Sequence, residues 1–293
     1  MTDKDGYRTF FIPLLAARDT GRSKGRIIQS HLKRSKTQMK RLLTLPLAVL
    51  CVFLYVRCSE GASPAQGHVK LGIIYYQAGE YDEAIAQLQK AIALDPNLVS
   101  AHNGLGATYF NQGKHDLAIK SYQKAIVLDP NLASAYNNLG SVYSDQGKYD
   151  LAVRFCQKAI SINPESASYR YNLGSVYGEQ GKYDLAIESC QKAIAIDPNY
   201  ADAYNNLGFT YSKQGKYDLA VRFYQKAIAI DPEDAFYHYN LACVYSLQDK
   251  KASSIESLRK SISLDKYLIG KAEKDSDFDN IRESPEFQAL IRS

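Results

Sequence analysis

The chain has 293 residues, 45% of them hydrophobic, with 36 Lys and Arg against 31 Asp and Glu, a length that fits one large domain or two small ones. Residues 1–60 hold 12 Lys and Arg against 4 Asp and Glu, a local balance of +8 within a total of +5, which leaves everything after position 60 at −3. The basic character is therefore confined to the N-terminus, and nucleic-acid binding by the remainder is excluded: it offers no basic stripe with interleaved aromatics. Five cysteines (Cys51, Cys58, Cys156, Cys190, Cys243) form no CxxC pair, no metal-like spacing and no even disulfide set, and they read as packing residues.

Residues 1–38 carry no sustained helical or strand period and are rich in Arg, Lys, Ser and Thr, as expected of a disordered tail or of untranslated sequence upstream of a true start at Met39. Residues 39–64 have the layout of an export signal. Lys33, Arg34, Lys36, Lys40 and Arg41 precede a largely apolar run, Leu42 to Val56, which Pro46 weakens, and small residues from Gly61 to Ala65 follow it. The run falls short of the roughly 18 to 20 residues of a membrane-spanning helix. A signal peptide is the first expectation and a membrane anchor the second, with a buried first helix as the third. Met39 stands directly before Lys40 and Arg41, and a start there gives a signal of ordinary length. The repeats are then expected outside the cytoplasm, in a periplasm, a lumen or the exterior, or anchored to a membrane with the cationic flank on the cytoplasmic side.

From residue 65 onward a period takes over. Asp95-Pro96, Asp129-Pro130, Asn163-Pro164, Asp197-Pro198 and Asp231-Pro232 follow one another at an unvarying interval. In phase run Leu71, Leu105, Leu139, Leu173, Leu207 and Leu241, each followed by Gly or, last, by Ala242, and one helical turn after each Leu stands a Tyr, from Tyr75 to Tyr245. Ala84, Ala118, Ala152, Ala186 and Ala220 keep the same spacing. Residues 133–166 show the physics of one unit. A first helix is expected over Ala133–Asp145. Gly147 ends it in the left-handed conformation, and a second helix from about Tyr149 to Ile162 turns Ala152, Phe155, Ala159 and Ile160 inward. Pro164 lacks the amide proton to continue and drives Asn163 out of the helical region. Helices of this length are unstable alone, so stability has to come from stacking.

These residues resemble the tetratricopeptide repeat (TPR) family, whose Leu-Gly, Tyr, Ala, aromatic and Pro pattern has this period. The resemblance covers residues 65–268 as six repeats, beginning near Ala65, Val99, Ala133, Ala167, Ala201 and Ala235. It implies an all-α fold, a right-handed superhelical solenoid of antiparallel helix pairs with a concave groove. The family's Trp slot holds His68, His102, Tyr136, Arg170, Tyr204 and His238. In the sixth repeat Asp249 replaces the turn Gly, Ser254 and Ser261 replace Ala, and Lys266 replaces Pro, which reads as a cap with a wetter outer surface. Residues 269–293 are expected to add a capping helix and tail, with Phe278, Ile281, Phe287 and Leu290 covering the end of the stack.

The resemblance also implies that first helices line the groove. Asn138, Asn172, Asn206 and Asn240 recur there once per repeat, whereas Lys70 and Gly104 hold the slot in the first two repeats. The row is similar to the asparagine ladder in the TPR arm of O-linked N-acetylglucosamine transferases. A carboxamide donates and accepts and so can grip a peptide backbone without reading its side chains. Equally, such residues bond to their own neighbouring turns as part of the repeat pattern. Further groove candidates by phase are Asn103, Asn137, Tyr171, Asn205 and Tyr239, with Phe110 and Phe209 as apolar contacts. Lys70, Arg170 and Lys213 do not make the carboxylate clamp with which some family members read acidic chaperone tails.

No catalytic constellation stands out. His31, His68, His102, His115 and His238 lie in different units or in the tail, and the Asp-Pro turns offer one carboxylate per repeat, too dispersed for a metal. The expectation is a protein or peptide partner, no nucleic acid, no cofactor and no enzymatic activity. The function expected is a scaffold that holds an extended partner segment in its groove and helps assemble a complex. The alternative is a subunit that recruits substrates to a separate enzyme such as a glycosyltransferase. Membrane association, if it exists, is expected through residues 42–56.

Overall fold

The computed structural model describes residues 63–292, and every element in that span is helical. The tail of residues 1–38, the Met39 start, the apolar run 42–56 and the thiols of Cys51 and Cys58 lie outside the described residues. Among the described residues no helix is long and apolar enough to cross a membrane.

Twelve helices form six consecutive pairs. The first three pairs are α1 (Pro64–Ala78) with α2 (Tyr81–Leu94), α3 (Val99–Asn111) with α4 (His115–Leu128), and α5 (Ala133–Asp145) with α6 (Tyr149–Ile162). They make one compact unit, which ends at Asn163. A second unit begins at Pro164 and holds α7 (Ala167–Glu179) with α8 (Tyr183–Ile196), α9 (Ala201–Lys213) with α10 (Tyr217–Ile230), and α11 (Ala235–Leu247) with α12 (Lys251–Leu264). It closes with α13 (Leu268–Ala272), a 3₁₀ turn at Ser276–Phe278 and α14 (Pro285–Ile291). Within each unit a second helix packs on its own first helix and on the first helix of the next repeat.

Turn chemistry sets the pairs. Gly79, Gly113, Gly147, Gly181 and Gly215 all take φ of 73 to 75° in the inter-helix turn. At Gly147 the amide donates to the Ser144 carbonyl (2.8 Å) and the next amide, Lys148, to the Tyr143 carbonyl (2.8 Å), the paired bonds that satisfy a helix end. Between repeats, Asn163 leaves the helical region at φ −129°, ψ 88°. Asp129 accepts from the Asn131 amide at 2.9 Å, and Asp95, Asp197, Asp231 and Asp265 repeat that turn.

Close approach of the two helices explains the glycine that follows each Leu. A Cβ on Gly140 would come within 2.6 Å of Cys156 Sγ, and one on Gly106 or Gly208 within 2.6 or 2.7 Å of the Tyr122 or Tyr224 ring. Cys156, rather than Phe155, is thus the residue of α6 that meets Gly140. Phe155 stands on the flank, stacked on Tyr143 (5.3 Å, 10°) and Tyr136 (6.4 Å, 28°), and Phe223 repeats this with Tyr211 and Tyr204. The cysteines at 156, 190 and 243 are buried free thiols, as packing residues should be.

The repeats are also joined by a polar link that the spacing did not disclose. Gln112 Nε2 donates to Asp82 Oδ1 (2.8 Å), Gln214 to Asp184 (3.4 Å) and Gln248 to Asp218 (2.8 Å), each from the end of one first helix to the start of the preceding second helix. At the α4–α5 junction His115 Nε2 meets Asp145 Oδ2 at 3.1 Å.

The sixth repeat corrects one expectation. Ser254 and Ser261 do not wet an outer surface. Both are fully buried, and their hydroxyls donate to the carbonyls of Ala242 and Ala235 at 2.8 Å. The end of the stack is covered by Phe278, Ile281, Phe287 and Leu290, all buried. Arg282 ties this segment down by donating to the carbonyls of Glu273 and Asp275 and to Asp279.

Candidate functional site

The first helices carry every groove candidate, and the structure divides these into enclosed and open residues. Tyr171 and Tyr239, expected to line a groove, are instead core residues at 4% and 1% exposure. Tyr171 meets the Tyr200 ring edge-on (5.5 Å, 66°) beside Cys190, Ala203 and Leu207. Tyr239 lies under the C-terminal tail, with the Phe278 ring at 90° and its hydroxyl donating to Asp275 Oδ2 at 2.8 Å. Burial first, and then nearby carboxylates and thiols, pushes both phenols above their ordinary pKa. Asn137 and Phe110 are likewise buried, Phe110 against Tyr122, Leu139 and Val142. Phe110 points along the stack, where Leu139 and Val142 of the next first helix cover it, while Tyr200 covers Tyr171 and the tail covers Tyr239.

The asparagine row lies at the edge of that enclosure. In the first unit Asn138 is buried with 8% exposed, while Asn103 is half-buried and its Oδ1 is enclosed without a hydrogen-bond partner. In the second unit Asn172 and Asn206 are each 8% exposed and Asn240 is half-buried. The Asn206 carboxamide is held in place: Thr210 Oγ1 donates to its backbone carbonyl (2.8 Å) and lies 3.3 Å from its Oδ1. Asn240 Nδ2 donates to Asn205 Oδ1 at 3.0 Å, joining α11 to α9, and Asn205 is half-buried too. Phe209 is half-buried with Lys213 Nζ 5.2 Å from its ring centre. Sequence phase located this face but could not reveal the Asn205–Asn240 bond, because the two residues stand one position out of register with the repeat.

Three of the Trp-slot residues serve local turns. His102 Nε2 and His238 Nε2 donate to the carbonyls of Pro96 (2.9 Å) and Pro232 (3.0 Å), and the Arg170 guanidinium donates to Pro164 O. His68 Nδ1 pairs with Gln87 Oε1 at 2.7 Å. His68 is thus engaged within its own repeat, and the other three with the Pro turn directly before their own helix.

One cluster escaped the sequence reading. Cys243 Sγ and one carboxylate oxygen each of Asp275 and Asp277 lie within 4.8 Å of one another. The thiol hydrogen-bonds to Asp277, Tyr239 donates to Asp275, and Lys271 and Lys213 lie close enough to lower the Asp277 pKa against the burial that raises it. Burial, followed by these two carboxylates, holds the Cys243 thiol well above its usual range and therefore protonated. Two lysines already offset the two carboxylates, so the group is explained as a hydrogen-bonded seam between α11 and the tail.

Comparison with known proteins agrees with this architecture. Sequence profiles described as TPR repeat match residues 72–113 and 108–147, and profiles described as tetratricopeptide repeat match 131–199, 165–233 and 201–266. The chain belongs to the tetratricopeptide repeat family. It is a protein–protein interaction scaffold in class, the role its repeats define. No relative was found among curated proteins. Among solved structures, the chain is similar to one from the APC/C hetero-tetramer Cut9–Hcn1, with a TM-score of 0.66 and 22% identity over 82% of this chain and 45% of that one. It therefore spans less than half the length of that relative. It is also similar to PilF of Pseudomonas aeruginosa (TM-score 0.59, 22% identity, 77% of this chain and 96% of that one). A third likeness is to TTC0263, a TPR protein of Thermus thermophilus (TM-score 0.56, 24% identity, 61% and 98%). At these identities the likeness is one of fold.

Proposed function

We propose that this protein holds an extended segment of a partner protein along its first helices and thereby assembles or retains a complex. The observation that carries the reading is the row Asn172, Asn206 and Asn240 on three consecutive first helices of the second unit, neutral carboxamides that are nearly or half enclosed. Amides fixed at the edge of a packed helix lose little freedom on binding and can meet backbone N–H and C=O groups of any sequence. Affinity capture from native extract with cross-linking mass spectrometry tests it. A partner caught by the wild type and lost from the folded Asn172→Ala, Asn206→Ala, Asn240→Ala variant supports the groove. Retention of the same partners by that variant sinks it. We further propose, from the basic flank and apolar run at residues 33–56, that the repeats work outside the cytoplasm, and protease accessibility of the repeats in intact cells decides this.

A further inference from the structure

The bond between Asn240 and Asn205 uses only part of what two carboxamides offer. Asn240 Nδ2 gives one hydrogen to Asn205 Oδ1. Both hydrogens on Asn205 Nδ2 and the oxygen of Asn240 remain, with no protein partner among the described residues, on two half-buried side chains. A joined pair with a spare donor on one side and a spare acceptor on the other complements one residue of an extended segment, whose own C=O and N–H point to the same side of the chain. The neighbouring Asn206 is differently engaged, since Thr210 Oγ1 already approaches its Oδ1.

Phe209 stands one turn after Asn205 on α9 and so shares its face. Its ring is half-buried against the cluster of Ala220, Tyr224, Leu241 and Val244, which belongs to α10 and α11, so it leans toward the helix that bears Asn240. Lys213 lies over that ring, and its charge also reaches Asp277, so the cation here already faces a carboxylate. The surroundings therefore favour a neutral, apolar side chain over an acidic one.

We infer that Asn205, Asn240 and Phe209 form one subsite that grips the N–H and C=O of a single residue of an extended segment and receives the apolar side chain beside it. This deepens the groove reading above and rests on it. The subsite differs from the regular asparagine row in using one residue at the row's phase and one a position earlier.

The probe is a phage-displayed library of random peptides, about 12 residues long so that they can span neighbouring repeats in extended form, panned on the full chain. Retained peptides are synthesised and titrated by fluorescence anisotropy. The decisive variant is Asn205→Asp. Its carboxylate still accepts from Asn240 Nδ2 and so keeps the α9–α11 link, but it has no hydrogen to give a ligand. Expected are peptides with an aliphatic or aromatic residue at one fixed place, about tenfold weaker on Asn205→Asp, the loss of one well-made hydrogen bond. On Phe209→Ser the preference at that place should vanish. Circular dichroism and melting curves check that both variants fold, and Asn205→Ser serves if Asn205→Asp does not. Unchanged binding by the Asn205 and Phe209 variants overturns the subsite. If in that case Asn172→Ala or Asn206→Ala weakens the peptides, the groove reading survives without it. No peptide retained above a control surface overturns both.

Discussion

Gly140 and Cys156 oppose each other across the α5–α6 pair so closely that a methyl group on Gly140 would lie 2.6 Å from the Cys156 sulfur and 3.2 Å from the Ala152 carbonyl oxygen. The sulfur belongs to a side chain and the oxygen to backbone, so only one obstacle can be removed by mutation. Gly140→Ala should destabilise the protein by about 1–3 kcal/mol, the usual cost of overpacking. Adding Cys156→Ala should recover part of that loss but not all of it. Urea denaturation of the four proteins in the cycle measures the coupling, and strictly additive effects would show that the contact is not what demands glycine.

The turn residues make a sharper contrast. Gly147 has φ 73° with open space around a would-be Cβ, so Gly147→Ala meets no clash and should cost about 1–2 kcal/mol through backbone strain alone. Asp249 occupies the same turn in the sixth repeat at φ 57° and already bears that strain. Asp249→Gly would relieve it while losing the bond that Asp249 Oδ1 accepts from Asn280 Nδ2 at 3.1 Å, worth about 0.5–1.5 kcal/mol. The two nearly offset, so thermal unfolding should place Asp249→Gly within about 1 kcal/mol of wild type. A shift as large as that of Gly147→Ala would contradict this account.

Much of this architecture was legible because repetition gives each position several independent readings. Ala133–Asp145 and Tyr149–Ile162 form helices where the Gly and Pro spacing puts them. What stayed hidden is what lies between repeats. Phase put Tyr171 and Tyr239 on the first-helix face but could not say that Tyr200 and the tail enclose them. The Gln248–Asp218 link was invisible for a related reason, since it joins positions that do not correspond in successive repeats and so lies off the repeat grid. The candidate site suffers most from this, because a binding face is defined by what its neighbours leave uncovered.

Ser254 and Ser261 supply a test of the terminal repeat. Every earlier repeat carries Ala at the Ser254 position, so Ser254→Ala restores the family residue and creates no clash. It nevertheless removes a buried hydroxyl that donates to the Ala242 carbonyl at 2.8 Å. Because the partner is a carbonyl inside a helix, the loss should stay near the net value of one hydrogen bond, about 1 kcal/mol, and Ser261→Ala should behave alike. Stabilisation by either change would mean that the buried hydroxyls cost more in desolvation than their bonds return.

The buried thiols predict an alkaline limit to stability. Burial pushes both Cys156 and Cys190 from 9.0 to about 12. In the unfolded chain each thiol gives up its proton as pH rises past 9.0, whereas the folded chain keeps it until about 12, so the unfolded state gains from deprotonation first. Their contribution is therefore constant below pH 9.0 and falls between there and about 12, by up to about 1.4 kcal/mol per thiol for each pH unit. Several buried tyrosines, Tyr122 and Tyr224 among them, act in the same direction and must be separated from the thiols. Cys190→Ala isolates one thiol: its urea midpoint should fall less steeply than that of wild type above pH 9.0 and run parallel to it below. Iodoacetamide mapping at about pH 8 gives an independent check, since Cys156, Cys190 and Cys243 should stay unlabelled in the folded protein and react after unfolding. Labelling of Cys156 without unfolding would mean that the α5–α6 pair opens in the native state, and the close approach at Gly140 would then have to be a fluctuating contact.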